Sequence, residues 1–164
     1  MTDDQLTRLG AEVGALLRQQ SARVTTAESC TGGWIAKTIT DVAGSSAWFD
    51  CAFITYSNDA KQRLVGVQAA TLEQWGAVSE QVVTEMAAGA LQAAGADFAL
   101  SVSGIAGPDG GSEEKPVGTV WFGFVSARGQ RLAQRRHFVG DREAVRRQAT
   151  VYALTTLRDD FLKK

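Results

Sequence analysis

A chain of 164 residues has the length of one ordinary domain, enough to bury about two-thirds of its unfolded surface around a single core. With 45% hydrophobic and 21% charged residues, and 17 Lys and Arg against 18 Asp and Glu, it carries no electrostatic footprint for nucleic acid or an anionic membrane. There is no run of ~18 apolar residues and no basic-then-apolar leader, so the sequence reads as cytoplasmic; two cysteines without CxxC spacing and one histidine argue against a disulfide scaffold and a metal centre.

Leu6, Leu9, Val13, Leu16 and Leu17 recur at helical spacing and predict an amphipathic helix from about Asp4 to Gln20. "RVTTAES" is a short strand rich in β-branched residues, and "TGGWIAKTITDVAG" suits a helix entered through a tight turn and closed by Gly44. "SAWFDCAFITYS" reads as a second strand, with Cys51 in its apolar interior, followed by a polar helical turn carrying Asn58 and Lys61. "SEQVVTEMAAGALQAAGA" is a helix capped by Ser79 and stopped at Gly95, and "DFALSVSG" a buried strand. "GIAGPDGGSEEKPVG" has no apolar period and is a long loop, and long loops in compact domains are usually functional. "TVWFGFVSA" and "RLAQRRHFV" form a hairpin across "RGQ". The closing helix starts at Asp141 and turns Val145, Ala149, Tyr152, Ala153, Leu157 and Phe161 inward.

Alternating strands and helices predict an α/β fold: a mostly parallel five-stranded sheet with helices on both faces and one strand reversed by the hairpin. The strands ending at Ser29, Tyr56, Ser103 and Val139 then share one carboxyl edge with the glycine-rich loop, where open α/β sheets bind ligands.

"TTAESCTGG" sets Ser29, Cys30 and Thr31 in a row before Gly32 and Gly33. A strand turning into a helix there exposes backbone N–H groups at the positive end of a dipole, a means of holding an oxyanion. A serine hydroxyl needs a base, and His137, flanked by arginines, is poorly suited to be one. Lysine serves when its pKa is lowered, and Lys61 is the lysine best placed to meet Ser29. The same motif also fits a glycine-eased helix start without chemistry, and Lys61 also fits a solvated surface lysine. Cys30 is a further potential nucleophile, or a small buried apolar residue. Tyr56 and Asn58 either join a polar network with Lys61 or merely end the strand and cap the next turn.

Gly104, Gly107, Gly110 and Gly111 let backbone amides approach a ligand, without matching a Walker A loop or GxGxxG. Arg142, Arg146 and Arg147 open a helix whose dipole they oppose. A bound anion held by Arg142 and Arg146, four apart on one face, resolves that conflict; local pairing with Asp141 and Glu143 does so equally.

Taken together, "TTAESCTGG", "GSSAWF", "TYSNDAK", "GAVSE", "SGIAGPDGGSEEKPVGTVWF" and "GDREAVRRQA" closely resemble the C-terminal domain family of the competence/damage-inducible CinA proteins, in its stand-alone form, over nearly the whole chain. The resemblance implies a three-layer α/β/α sandwich with a mixed five-stranded sheet, in one domain spanning residues 1–164, with no room for the extra N-terminal domain of the fused members. It implies hydrolysis of nicotinamide mononucleotide to nicotinate mononucleotide and ammonia, with Ser29 as nucleophile, Lys61 as base, and neither metal nor organic cofactor. The amides at Cys30, Thr31, Gly32 and Gly33 would then hold the oxyanion, with Tyr56 and Ser103 orienting Lys61 or passing its proton. Asn58, Gly104, Gly107, Arg142 and Arg146 would bind the substrate, and a homo-oligomer, a dimer first, is expected. A Cys30-dependent hydrolase and a non-catalytic nucleotide-binding module are the alternatives.

Overall fold

A computed structural model describes residues 1–163. Helix α1 (Asp3–Gln19) opens on a capping box, in which Thr2 accepts from the Gln5 amide and the Gln5 side chain accepts from the Thr2 amide; it buries Leu6, Leu9, Val13 and Leu17. Strand β1 (Val24–Glu28) is buried at all five positions, and a turn leads from it into α2 (Trp34–Thr40).

The next stretch departs from the expected long strand. It forms a 3-10 turn at Ser45–Ala47 and only a two-residue strand, β2 (Phe53–Ile54). Trp48 is turned into the core, its carbonyl accepts from the Val24 amide, and the Thr25 hydroxyl takes the Cys51 carbonyl. Those single bonds replace a ladder, and Cys51 ends half-buried in a connection instead of inside a strand. α3 (Asn58–Val65) follows, then α4 (Ala69–Trp75), which the sequence reading lacks. α4 has no cap of its own: Glu85, from α5 (Glu80–Ala94), accepts from the Gln68 amide and the Thr71 hydroxyl at 2.9 and 2.7 Å. That cap is tertiary and invisible to local pattern.

Ser79 caps α5 as expected, and β3 (Phe98–Gly104), β4 (Thr119–Ser126), β5 (Arg131–His137) and α6 (Arg142–Thr156, continuing as a π-helical turn at Leu157–Leu162) complete the chain. The sheet order is β2-β1-β3-β4-β5. β1 pairs in parallel with β2 and β3, whereas β4 pairs antiparallel with both β3 and β5. Four of the five strands therefore point one way and the sheet is mixed, as expected, yet the reversed strand sits between two of them, so the pairings divide evenly and are not mostly parallel.

Helices cover both faces. α1, α2 and α6 close one side over Leu100, Val102, Val120, Phe122 and Phe124; α3, α4 and α5 close the other over Ala27, Ala99 and Val125. α3 can lie close to α5 because Gly89 faces the Val65 carbonyl, where any Cβ would collide. That approach fixes where Lys61 sits. Among the described residues no helix is long and apolar enough to cross a membrane.

Candidate active site

Ser29 follows the last residue of β1, where its amide donates to the Val102 carbonyl at 3.0 Å. Lys61 lies one turn into α3, whose N-cap Ser57 accepts from the Ala60 amide. Side chains on a helix lean toward its N-terminus, so Lys61 reaches back over the sheet edge. Its Nζ stands 3.1 Å from Ser29 Oγ and 2.9 Å from the Thr55 carbonyl. Lys61 is 1% exposed and Ser29 7%. Burial holds the Lys61 amine below the ordinary lysine value, with the nearby Cys30 opposing in part, and among the described residues no carboxylate pairs with it. A neutral amine beside a hydroxyl can take its proton.

The turn after Ser29 is built on Glu28. This fully buried carboxylate accepts from the Thr26 and Thr31 hydroxyls at 3.0 and 2.7 Å and from the Gly33, Ile35 and Ala36 amides at 3.2, 3.0 and 2.9 Å. It caps α2, whose own N-cap, Gly33, has no side chain and a φ of 103° that suits glycine alone. The Gly32 amide is also engaged, donating to the Ser29 carbonyl at 3.0 Å. Of the four amides expected at an oxyanion, Gly32 and Gly33 are thus spent inside the turn. Those of Cys30 and Thr31 have no partner among the described residues.

Ser29, Cys30 and Lys61 open onto a cleft of about 290 Å³ lined also by Tyr56, Asn58, Ser103, Gly104, Gly107, Asp109 and Arg142. The Arg142 guanidinium crosses its wall, donating to the Gly107 carbonyl and the Tyr56 hydroxyl, each at 2.8 Å. Cys30 faces the cleft from a buried position, and burial pushes its thiol up to about 12.

Comparison with known sequence families matches residues 6–161 to the CinA C-terminal domain. The chain belongs to the CinA C-terminal domain family. It is 65% identical over 163 residues, 99% of each chain, to a protein of Escherichia coli K12 named nicotinamide-nucleotide amidohydrolase PncC. A Pseudomonas putida protein of the same name is 55% identical over 155 residues, 94% of this chain and 96% of the relative. The crystal structure of a competence damage-inducible protein A from Klebsiella pneumoniae superposes with a TM-score of 0.90 at 45% identity, over 94% of this chain and 95% of that one.

On this CinA-type scaffold most of the expected residues meet at one sheet edge, and a few do not. Arg146 is outside the cleft: its Nε and Nη2 donate to the Cys30 and Thr31 carbonyls at 2.9 and 3.3 Å. The expected two-arginine clamp is therefore not formed, because one side of the α6 start faces the cleft and the next turn faces the back of the Ser29 turn. Neither arginine takes the local carboxylate pairing; Arg147 does with Glu143, and it also pairs across to Asp3 on α1. Tyr56, 59% exposed, bonds to Arg142 and not to Lys61, so the group that orients the amine is the Thr55 carbonyl. Ser103 lines the cleft but makes no hydrogen bond to Lys61. His137 bonds to the Val117 carbonyl, away from Ser29. Sequence reasoning passed over Glu28 and Thr55. A glutamate inside an otherwise apolar and β-branched strand was the available signal for Glu28, since a buried carboxylate must be fully hydrogen-bonded; a main-chain carbonyl leaves no mark at all. Among the described residues no group of His, Cys, Asp and Glu is placed to hold a metal ion.

Proposed function

We propose that the chain hydrolyses the carboxamide of nicotinamide mononucleotide, releasing ammonia and nicotinate mononucleotide through a Ser29 acyl-enzyme. The observation that carries this reading is the buried contact of Lys61 Nζ with Ser29 Oγ at 3.1 Å, and its support from relatives is the shared name of the two amidohydrolases.

In this mechanism the neutral Lys61 amine, with one N–H fixed on the Thr55 carbonyl, accepts the Ser29 proton as Oγ bonds to the carboxamide carbon. The carbonyl oxygen becomes an oxyanion facing the Cys30 and Thr31 amides. The Lys61 ammonium returns its proton to the departing nitrogen, the C–N bond breaks and ammonia leaves. Water, deprotonated by the same amine, then adds to the acyl carbon; the ester bond breaks, Ser29 recovers that proton from the Lys61 ammonium, and the carboxylic acid product gives its remaining proton to solvent and departs as the carboxylate. Arg142, without a carboxylate partner among the described residues, holds the ribose phosphate together with the glycine-rich loop and Asn58 at the start of α3. We read the enzyme as a cytoplasmic homodimer, which sizing in solution tests.

Ammonia release compared across nicotinamide, its riboside and its mononucleotide tests the proposal. The mononucleotide is expected to be hydrolysed fastest, and a protein that binds it without releasing ammonia would instead be a binding module.

A further inference from the structure

The Ser29 turn is gripped from outside by a single cation. Arg146 is half-buried, donates from Nε to the Cys30 carbonyl and from Nη2 to the Thr31 carbonyl, and has no carboxylate partner among the described residues. A cation in the opening turns of α6 works against the helix dipole, so its placement calls for a compensating role. The only cis peptide among the described residues is Gly107–Pro108. In every peptide of this turn the N–H therefore points opposite to the C=O.

That geometry gives Arg146 two routes to the free amides. The Cys30 carbonyl shares its peptide with the Thr31 N–H, so the bond from Nε polarises that N–H directly. The Thr31 carbonyl shares its peptide with the Gly32 N–H, which donates to the Ser29 carbonyl at 3.0 Å, and the Ser29 carbonyl shares its peptide with the Cys30 N–H. Linked hydrogen bonds strengthen one another, by roughly 10–30% per bond. Both relays end on the Cys30 and Thr31 amides, which have no partner among the described residues.

We propose that Arg146 is a positioning residue for the oxyanion site, fixing the Cys30 and Thr31 amides and raising their donor strength through these two peptide relays. The proposal rests on the reading of Ser29 as nucleophile, and it separates Arg146 from Arg142, whose guanidinium is in the cleft itself. The planar fork of arginine serves two carbonyls at once, which a lysine ammonium on a flexible stem does poorly. A hollow of about 560 Å³ behind the turn, lined by Arg146, Thr31, Gly32 and Trp34, opens the position to small solutes.

The test uses Arg146→Ala, Arg146→Met and Arg146→Lys in the full chain, assayed on the mononucleotide and the riboside with and without millimolar guanidinium. Removing an oxyanion donor outright costs about 10²–10³ in kcat, so depolarising two should lower kcat about 10- to 100-fold. KM should stay within about twofold, and both substrates should lose equally. Guanidinium should restore Arg146→Ala several-fold by occupying the hollow, and Arg146→Lys should lie between wild type and Arg146→Met. A second readout is labelling by a fluorophosphonate, in which Ser29 Oγ bonds to phosphorus, fluoride leaves, Lys61 takes the proton and the phosphonyl oxygen lies against the same amides. Labelling should slow by the same factor. A KM increase confined to the mononucleotide would make Arg146 a phosphate ligand and overturn the proposal. So would an equal loss with lowered Tm that neither guanidinium nor Arg146→Lys relieves, the mark of a structural brace. Wild type that labels at Ser29 in an Arg146-dependent way yet releases no ammonia would uphold Arg146 and remove the mononucleotide reading.

Discussion

Lys61 Nζ reaches Ser29 Oγ at 3.1 Å although 32 positions separate the two residues and they ride on different elements, a helix on one face of the sheet and the carboxyl end of its second strand in spatial order. The contact exists because α3 starts immediately after the β2 edge and is pressed onto α5 by the absence of a side chain at Gly89. Fold and chemistry are tied at that point.

The proposed role of Lys61 as a base requires a neutral amine and so predicts a definite pH behaviour. The Lys61 amine lies below its ordinary value of about 10.4, so kcat should rise with pH through one ionisation under that figure and level off above it. Lys61→Arg keeps the charge, cannot lose its proton and should be inactive. The stability effect follows from the same shift: between the folded and unfolded lysine values the native state holds fewer protons than the unfolded state, so stability increases as pH rises through that window. Lys61→Met removes the cost of burying an amine and should unfold at a temperature no lower than wild type while releasing no ammonia. Thermal melts and ammonia assays across pH check both.

Glu28 accepts five hydrogen bonds with no solvent access. Glu28→Gln keeps the shape but turns one acceptor oxygen into a donor that faces the amides of α2. The expected cost is about 2–4 kcal/mol, or a Tm lower by roughly 5–15 °C, accompanied by lost activity because the Ser29 turn loosens. Unchanged melting would show that the carboxylate is not what holds the turn.

Cys30 shares the cleft with Ser29, but its thiol is uncharged at working pH because burial raises it to about 12. Cys30→Ala should keep at least about a third of wild-type kcat, and iodoacetamide should leave the native enzyme active. Complete loss on Cys30→Ala in a folded protein would move the chemistry to the thiol.

Much of this was legible beforehand, and unevenly so. The helices with strong apolar periods and their own caps, α1 at Thr2, α5 at Ser79 and α6 at Asp141, follow from local chemistry. The hairpin at "RGQ" does as well. α4 was missed because its cap comes from Glu85 on another helix, and β2 was overextended because Trp48 is turned into the core while only Phe53 and Ile54 pair with β1. At the site, motif and edge position brought Ser29 and Lys61 forward as a pair that could meet, which they do, while their roles rest on the family resemblance. Which amides remained free was not, since it depends on Gly32 closing a turn and Gly33 bonding to Glu28. Helical spacing placed Arg142 and Arg146 on one face, but one face of a helix can serve the two sides of a turn.

Arg142 is the guanidinium in the cleft, held by the Gly107 carbonyl and the Tyr56 hydroxyl, and among the described residues no carboxylate forms an ion pair with it. A charge-assisted hydrogen bond contributes roughly 1.5–3 kcal/mol, so Arg142→Ala should lower kcat/KM on the mononucleotide by about 10- to 100-fold. The riboside, which lacks the phosphate, should hardly change. Kinetics on both substrates at matched ionic strength decide the matter, and equal losses would assign Arg142 to bracing the glycine-rich loop.

The most direct measurement is ammonia release from nicotinamide mononucleotide by purified Ser29→Ala beside wild type. Removing one hydroxyl that packs little should leave Tm within a few degrees and substrate binding nearly intact. The account predicts that turnover then falls by at least about 10³-fold, to the level of the uncatalysed background. A folded Ser29→Ala enzyme that releases ammonia at near wild-type rate would contradict it.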